Sequence, residues 1–93
     1  MLFRSVPYEF QYDRLKSQSN KLKHGIDFDE AQLLWRDVER VEIQATSTTE
    51  PRFMVIGQWQ QKHWSAIVTH RNQIIRIISV RRSRDNEVAL YES

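Results

Sequence analysis

The stretch "RFMVIGQWQQKHWSAIVTHRNQIIRIISVR", Arg52 to Arg81, decides the fold. It holds three runs rich in β-branched and aromatic residues, "RFMVIGQW", "HWSAIVTH" and "IIRIISVR", separated only by "QQK" and "RNQ". Such runs read as strands, and connections of about three residues leave no room for a crossover helix. Upstream, "RVEIQA" alternates Val41, Ile43 and Ala45 with Glu42 and Gln44, the period of a half-buried strand. Four consecutive strands with short turns predict an antiparallel meander.

The preceding residues have a different period. "YEFQY" suits a short first strand with Phe10 inward, and Asp13 is placed to cap a helix running to about His24, which Gly25 ends. Asp27 and Glu30 have the spacing of a capping box, so a second helix should start near Phe28 and bury Ala31, Leu34 and Trp35. "TSTTEP" is a loop, and "SRDNEVALY" closes the chain as a helix capped by Ser83. The predicted order is β-α-α-β-β-β-β-α, an α+β fold with helices over one face of the sheet. Its 93 residues make one domain, 1–93.

Composition narrows the chemistry. There is no cysteine, which removes disulfides, thiolate nucleophiles and thiolate metal sites. His24, His63 and His70 share no ligand-like spacing, so no metal is expected. Two glycines are too few for a nucleotide-cradling loop, and no nucleophile elbow or HExxH stretch occurs, so no cofactor is expected. No apolar run approaches a membrane span, and the N-terminus is too broken by Arg4 and Pro7 for a signal peptide, which leaves the cytoplasm as the expected location. Net charge is only +2, yet Arg71, Arg76, Arg81, Arg82 and Arg84 lie in one segment without an acid. That asymmetry favours a polyanion or an acidic protein as partner, although a solvated arginine face would look the same.

Within that segment strict alternation puts Ile74, Arg76, Ile78 and Val80 on one face of the last strand, and Ile75, Ile77, Ser79 and Arg81 on the other. Both faces are mainly apolar, so the strand should be central. Arg76 in an apolar row needs a carboxylate partner or a cleft that holds an anion, because an unpaired buried charge costs several kcal/mol. Arg81 and Arg82 lie at the strand end, where the planar guanidinium fork suits phosphate.

On the first helix, Lys16, Asn20, Lys23 and His24 recur at i, i+4, i+7 and i+8, the spacing of a core stripe occupied here by polar groups. His24 can complement the helix C-terminus or transfer protons. Trp59 and Trp64 flank a turn beside Lys62 and His63, where they can stack on bases or brace the hairpin. Glu87 and Tyr91, four apart on the last helix, share a face.

In order along the chain, "F-Q-Y-D" (Phe10–Asp13), Lys16, Asn20, "K-H-G" (Lys23–Gly25), Phe28 and "E-A" (Glu30–Ala31) are followed by "EPRFMVIG" (Glu50–Gly57). "RIISVR" (Arg76–Arg81), Glu87 and Tyr91 complete the pattern. Together they resemble the BrnT family of toxins from type II toxin–antitoxin pairs. The resemblance implies a RelE-like fold and a ribonuclease that blocks translation. It also implies a cognate BrnA-like antitoxin, DNA-binding and autoregulatory, in a hetero-oligomer with the toxin. On that basis Lys16, Asn20, Lys23 and His24 form one wall of an RNA cleft, with Arg52, Arg76 and Arg81 opposite and Arg82 also on RNA. Cleavage would be metal-independent, by attack of the RNA 2′-OH on the adjacent phosphate. His24 or Lys23 would transfer protons, Arg52, Arg76 and Arg81 would stabilise charge on phosphorus, and Glu87 and Tyr91 would orient these groups or assist the acid. The alternative is a non-catalytic protein that binds the antitoxin within an operator-bound repressor complex.

Overall fold

The computed structural model describes residues 8–46 and 49–93. Its elements are β1 (Glu9–Gln11), α1 (Arg14–His24), α2 (Phe28–Ala31), a 3₁₀ segment (Gln32–Arg36), β2 (Val41–Ala45), β3 (Arg52–Trp59), β4 (Lys62–Arg71), β5 (Ile74–Arg82) and α3 (Asp85–Glu92). The expected loop before β3 includes residues 47 and 48, which lie outside the described residues.

The meander forms as expected: β2, β3, β4 and β5 pair antiparallel in sequence order. Gln60 and Gln61, both at positive φ (54° and 65°), make the two-residue β3–β4 turn whose twist matches the flanking strands. A correction concerns the sheet edge. β1 pairs in parallel with β5, giving the order β1-β5-β4-β3-β2 and a mixed sheet. The connection from β1 to β5 spans most of the chain, long enough for the crossover that a parallel pair requires.

Of the two N-terminal helices the first forms as expected and the second differs. Asp13 caps α1 by accepting from Lys16 N–H, and Gly25 ends it at φ 82°. α2 begins with the expected Asp27–Glu30 capping box but is one turn long, and the chain continues as 3₁₀. α3 starts at Asp85, later than Ser83; the Ser83 hydroxyl bonds Ser65 Oγ at 2.7 Å instead of capping the helix.

Ile26, Phe28, Ala31, Leu34 and Trp35 pack against Val55, Trp64, Ala66, Val68, Ile75, Ile77 and Val80 on one face of the sheet. Phe10 packs edge-on against Trp35 at 5.0 Å, inward as expected. Gly57 on β3 lets the 3₁₀ segment approach closely, since a Cβ there would stand 3.4 Å from Leu34. α3 lies on the opposite face, so the helices do not all cover one side. Its Glu87 bonds Ser65 and Arg81, which point away from the core residues Trp64, Ala66 and Val80.

Strict alternation fails in β5. A bulge shifts the β4–β5 register between Ile67 and Val68: Ile67 faces Ser79, while Val68 faces Ile77. Ile77 and Val80 therefore share the core face, and Ile78 is the extra residue. Beyond the bulge every side chain is on the opposite face from the one that alternation predicts. Arg81 thus joins Arg76 on the face away from the core, and Arg82 turns to the core side, its guanidinium 5.6 Å from the Trp64 ring centroid.

Candidate functional site

The face away from the core is built from cross-strand rows, which the register fixes. One row runs Thr69–Arg76–Gln11 across β4, β5 and β1, and the β2–β3 pair Ala45–Arg52 continues its line one step beyond Phe53–Val68, the last pair of the β3–β4 ladder. The next is Ile43–Met54–Ile67–Ser79, and a third holds Val41, Ile56, Ser65 and Arg81. α3 covers the third row. The middle row is half-exposed, as are Ile74 and Ile78. An apolar strip is thus bordered by arginine rows at both ends.

In the first row Arg52 and Arg76 stand on either side of Thr69, with Cα atoms about 10 Å apart across two strand spacings, so their long arms can converge on one small anion. Arg76 has no carboxylate within bonding reach among the described residues; Nη1 donates to the amide oxygen of Gln11 at 3.2 Å. Thr69 is 1% exposed and its Oγ1 has no hydrogen-bond partner among the described residues. At the border of the row Arg71 holds Glu50 through two bonds of 2.9 and 3.0 Å. That contact, with the nearby charges of Arg52 and Arg76, holds the Glu50 carboxyl below its usual range.

Arg81 lies elsewhere, in the third row, about 13 Å along the strands from Arg76. It is committed to Glu87 by a two-pronged ion pair of 2.9 and 2.8 Å. Glu87 is 5% exposed and also accepts from Ser65 Oγ and Arg84 N–H. The Arg81 guanidinium, despite the burial that opposes it, brings the Glu87 carboxyl down to about 2. Tyr91 stacks edge-on with His63 at 4.9 Å and donates to Asp37 Oδ2 at 2.6 Å. Burial and that bond push the Tyr91 hydroxyl up to about 12. Asp37 also accepts from Glu39 and Gln58 N–H; burial raises its carboxyl, but these bonds and Arg40 prevail and hold it below the usual range. Near neutral pH, Glu87 is fixed as an anion and Tyr91 as a neutral phenol. Both side chains tie α3 to the rest of the fold, Glu87 to β4 and β5 and Tyr91 to Asp37 ahead of β2.

The polar stripe of α1 divides as well. Asn20 is 8% exposed; its Nδ2 donates to Ile26 O and Val80 O, both at 2.8 Å, and its Oδ1 accepts from Val80 N–H at 3.3 Å. α1 takes up the line of β1 along the outer edge of β5, and there the Asn20 amide satisfies an N–H and a C=O of β5 as a strand would. Both amide hydrogens and one oxygen lone pair are thus engaged with backbone. Ser17, also buried, accepts from Phe28 N–H.

Lys16, Lys23 and His24 are exposed. At about 100° per residue, Lys16 and Lys23 fall about 40° and 60° to one side of Asn20, while Lys21, which pairs with Glu30 of α2, falls about 100° to the other. The flank of Lys16 and Lys23 therefore turns away from α2 and the core, toward the side that carries the arginine rows. His24 falls on the Ser17 side.

Arg82 does not join this face, and Trp59 and Trp64 brace the core: Trp64 Nε1 donates to Trp59 O at 3.2 Å, with the rings 6.3 Å apart. Sequence reasoning missed Thr69 as a neighbour of Arg76 and the pairing of Arg71 with Glu50. Their register was implicit in the two turns, once "QQK" and "RNQ" fix which residues face each other. Among the described residues no three of His, Asp and Glu are grouped as metal ligands, and no helix is long and apolar enough to cross a membrane.

Across residues 12–87 the chain matches the model of a family described as the ribonuclease toxin, BrnT, of type II toxin–antitoxin systems. The chain belongs to the BrnT family. No individual curated protein matches it. A BrnT toxin is a ribonuclease that works within a pair, so an antitoxin partner follows from the family. The match includes Lys16, Lys23, His24, Arg52, Arg76 and Arg81 and stops at Glu87, short of Tyr91.

Proposed function

We propose that the face away from the core is where this BrnT toxin holds RNA, and that it cuts by attack of the 2′-OH on the adjacent phosphate without a metal. The observation that carries this reading is Arg76, a half-buried cation on the face away from the core whose hydrogen-bond partner is a neutral amide. Such a charge is stabilised when an anion arrives, and Arg52 stands two strands away on the same row to share it. Arg52 and Arg76 stabilise the charge that develops on phosphorus. Lys23, on the flank that turns toward the arginine rows, moves the proton, with His24 on the Ser17 side of the helix end as the alternative, and Lys16 contacts the RNA backbone. Arg81, held by Glu87, positions the strand end and α3. Asn20, Glu87 and Tyr91 are positioning residues, and Arg82 is outside the site.

The protein acts as a single domain, 1–93, in the cytoplasm, with the RelE-like fold, and its cleavage stops translation. Its BrnA-like antitoxin, which binds DNA and represses the operon, neutralises the toxin by covering the same face. An acidic amphipathic segment fits there, its apolar side on Ile43, Met54 and Ile67 and its carboxylates on the arginines.

The test is induction of the chain without its antitoxin, with total RNA followed over minutes and samples quenched in EDTA. Growth arrest with RNA fragments that keep forming in EDTA extracts supports the reading. Intact RNA from folded, expressed protein would point to the binding role in the repressor complex instead.

A further inference from the structure

We infer that Thr69 is a phosphate-binding residue of this toxin: its hydroxyl, with the Arg52 and Arg76 guanidinium groups on either side, takes a non-bridging oxygen of the RNA backbone. A hydroxyl with neither donor nor acceptor satisfied is costly at 1% exposure, and a β-branched apolar residue of the same shape would fill the space without that cost. Valine occupies the neighbouring core position, Val68, and is equally at home in a strand. The hydroxyl at position 69 therefore has no structural employment, and its neighbours in the row point to another use. Arg52 and Arg76 flank it across β3 and β5, and Glu50, already a carboxylate, is held at the border of the row by Arg71.

Burial also fixes the order of events. The residues next to Thr69 in its row are the two arginines, so Thr69 Oγ1 is reached when an arginine side chain is drawn off it. Arg52 is already exposed, and half-buried Arg76 is held by only one 3.2 Å bond to a neutral amide. An incoming phosphate takes the Arg76 fork away from Gln11, and the exposed hydroxyl donates to the same phosphate. The site thus becomes three-pronged, with two charged forks and one short neutral donor that fixes the oxygen's position between them. The inference rests on the ribonuclease reading for the identity of the anion, a phosphodiester of RNA.

The test compares Thr69→Val and Thr69→Ser with the wild type in two assays: anisotropy binding of a labelled single-stranded deoxyribonucleotide 10-mer, which lacks the 2′-OH and cannot be cut, and cleavage of RNA. The expected result is that Thr69→Val melts at or above the wild-type temperature, binds the 10-mer about 5- to 10-fold more weakly at 50 mM salt, and cuts RNA at least about 10-fold more slowly. Thr69→Ser should retain both. Binding and cleavage by Thr69→Val equal to wild type would overturn the inference and make the hydroxyl a packing defect. If the wild type binds the 10-mer in a Thr69-dependent way but cuts no RNA, the site stands and the ribonuclease mechanism falls.

Discussion

Replacing Asn20 with alanine should damage the fold before it damages any contact with RNA. The amide makes three bonds to backbone, to Ile26 O, Val80 O and Val80 N–H. Each contributes roughly 0.5–1.5 kcal/mol net, and a buried group left without a partner costs roughly 1–3 kcal/mol. Water can re-enter at the β5 edge and recover part of this, so a total loss of about 2–4 kcal/mol is expected. For a domain near 100 residues, each kcal/mol lowers Tm by roughly 4–8 °C, so the melting temperature should fall by at least about 8 °C. Urea unfolding followed by tryptophan fluorescence measures this directly, with an unchanged slope indicating that the same surface is exposed. The reasoning is refuted if Asn20→Ala loses less than about 0.5 kcal/mol while its affinity for RNA drops. That result would return Asn20 to the RNA cleft that its helical spacing suggests.

Two further outcomes follow from the α3 contacts. Glu87 has its carboxyl lowered to about 2 in the folded state, so the stability it supplies is full above the unfolded value of about 4.5 and drains away as pH falls toward 2. The span corresponds to at most about 3 kcal/mol. The unfolding free energies of wild type and Glu87→Gln should therefore differ most above pH 5 and converge by pH 2; a gap that stays constant with pH would show that the Arg81 pair is not its source. Tyr91→Phe should cost about 1–2 kcal/mol through the lost bond to Asp37 yet leave the pH–rate profile of cleavage unmoved, because a hydroxyl near 12 does not titrate in the working range. A displaced alkaline limb in that variant would make Tyr91 an acid in the reaction.

The strands were legible because their signal is local: alternation in "RVEIQA", β-branched runs, and turns too short for a crossover. Asp13, Gly25 and the Asp27–Glu30 box were legible for the same reason, since a cap is read by its own neighbours. β1 was visible as a strand but not as a parallel edge, because three residues carry no register and their partner lies 65 positions away. The bulge at Ile78 was invisible in a run of isoleucines that reads equally well in either phase. It reversed the faces assigned to Arg81 and Arg82 and brought Arg76 and Arg81 to one side. The backbone contacts of Asn20 were not legible for a different reason: helical spacing reports which residues share a face, not whether a polar one meets water, RNA or the open edge of a strand. Thr69 carries no signal of its own; it acquires meaning only once Arg52 and Arg76 are set beside it.

The most direct measurement is single-turnover cleavage of RNA in EDTA by purified toxin freed of its antitoxin, comparing wild type with the Arg52→Ala/Arg76→Ala double variant at matched melting temperature. Loss of one preorganised donor to a developing oxyanion typically costs about 10²–10³ in rate, so the double variant should fall by at least about 100-fold. A double variant that cuts at the wild-type rate would contradict the account, since the arginine row would then have no part in the chemistry.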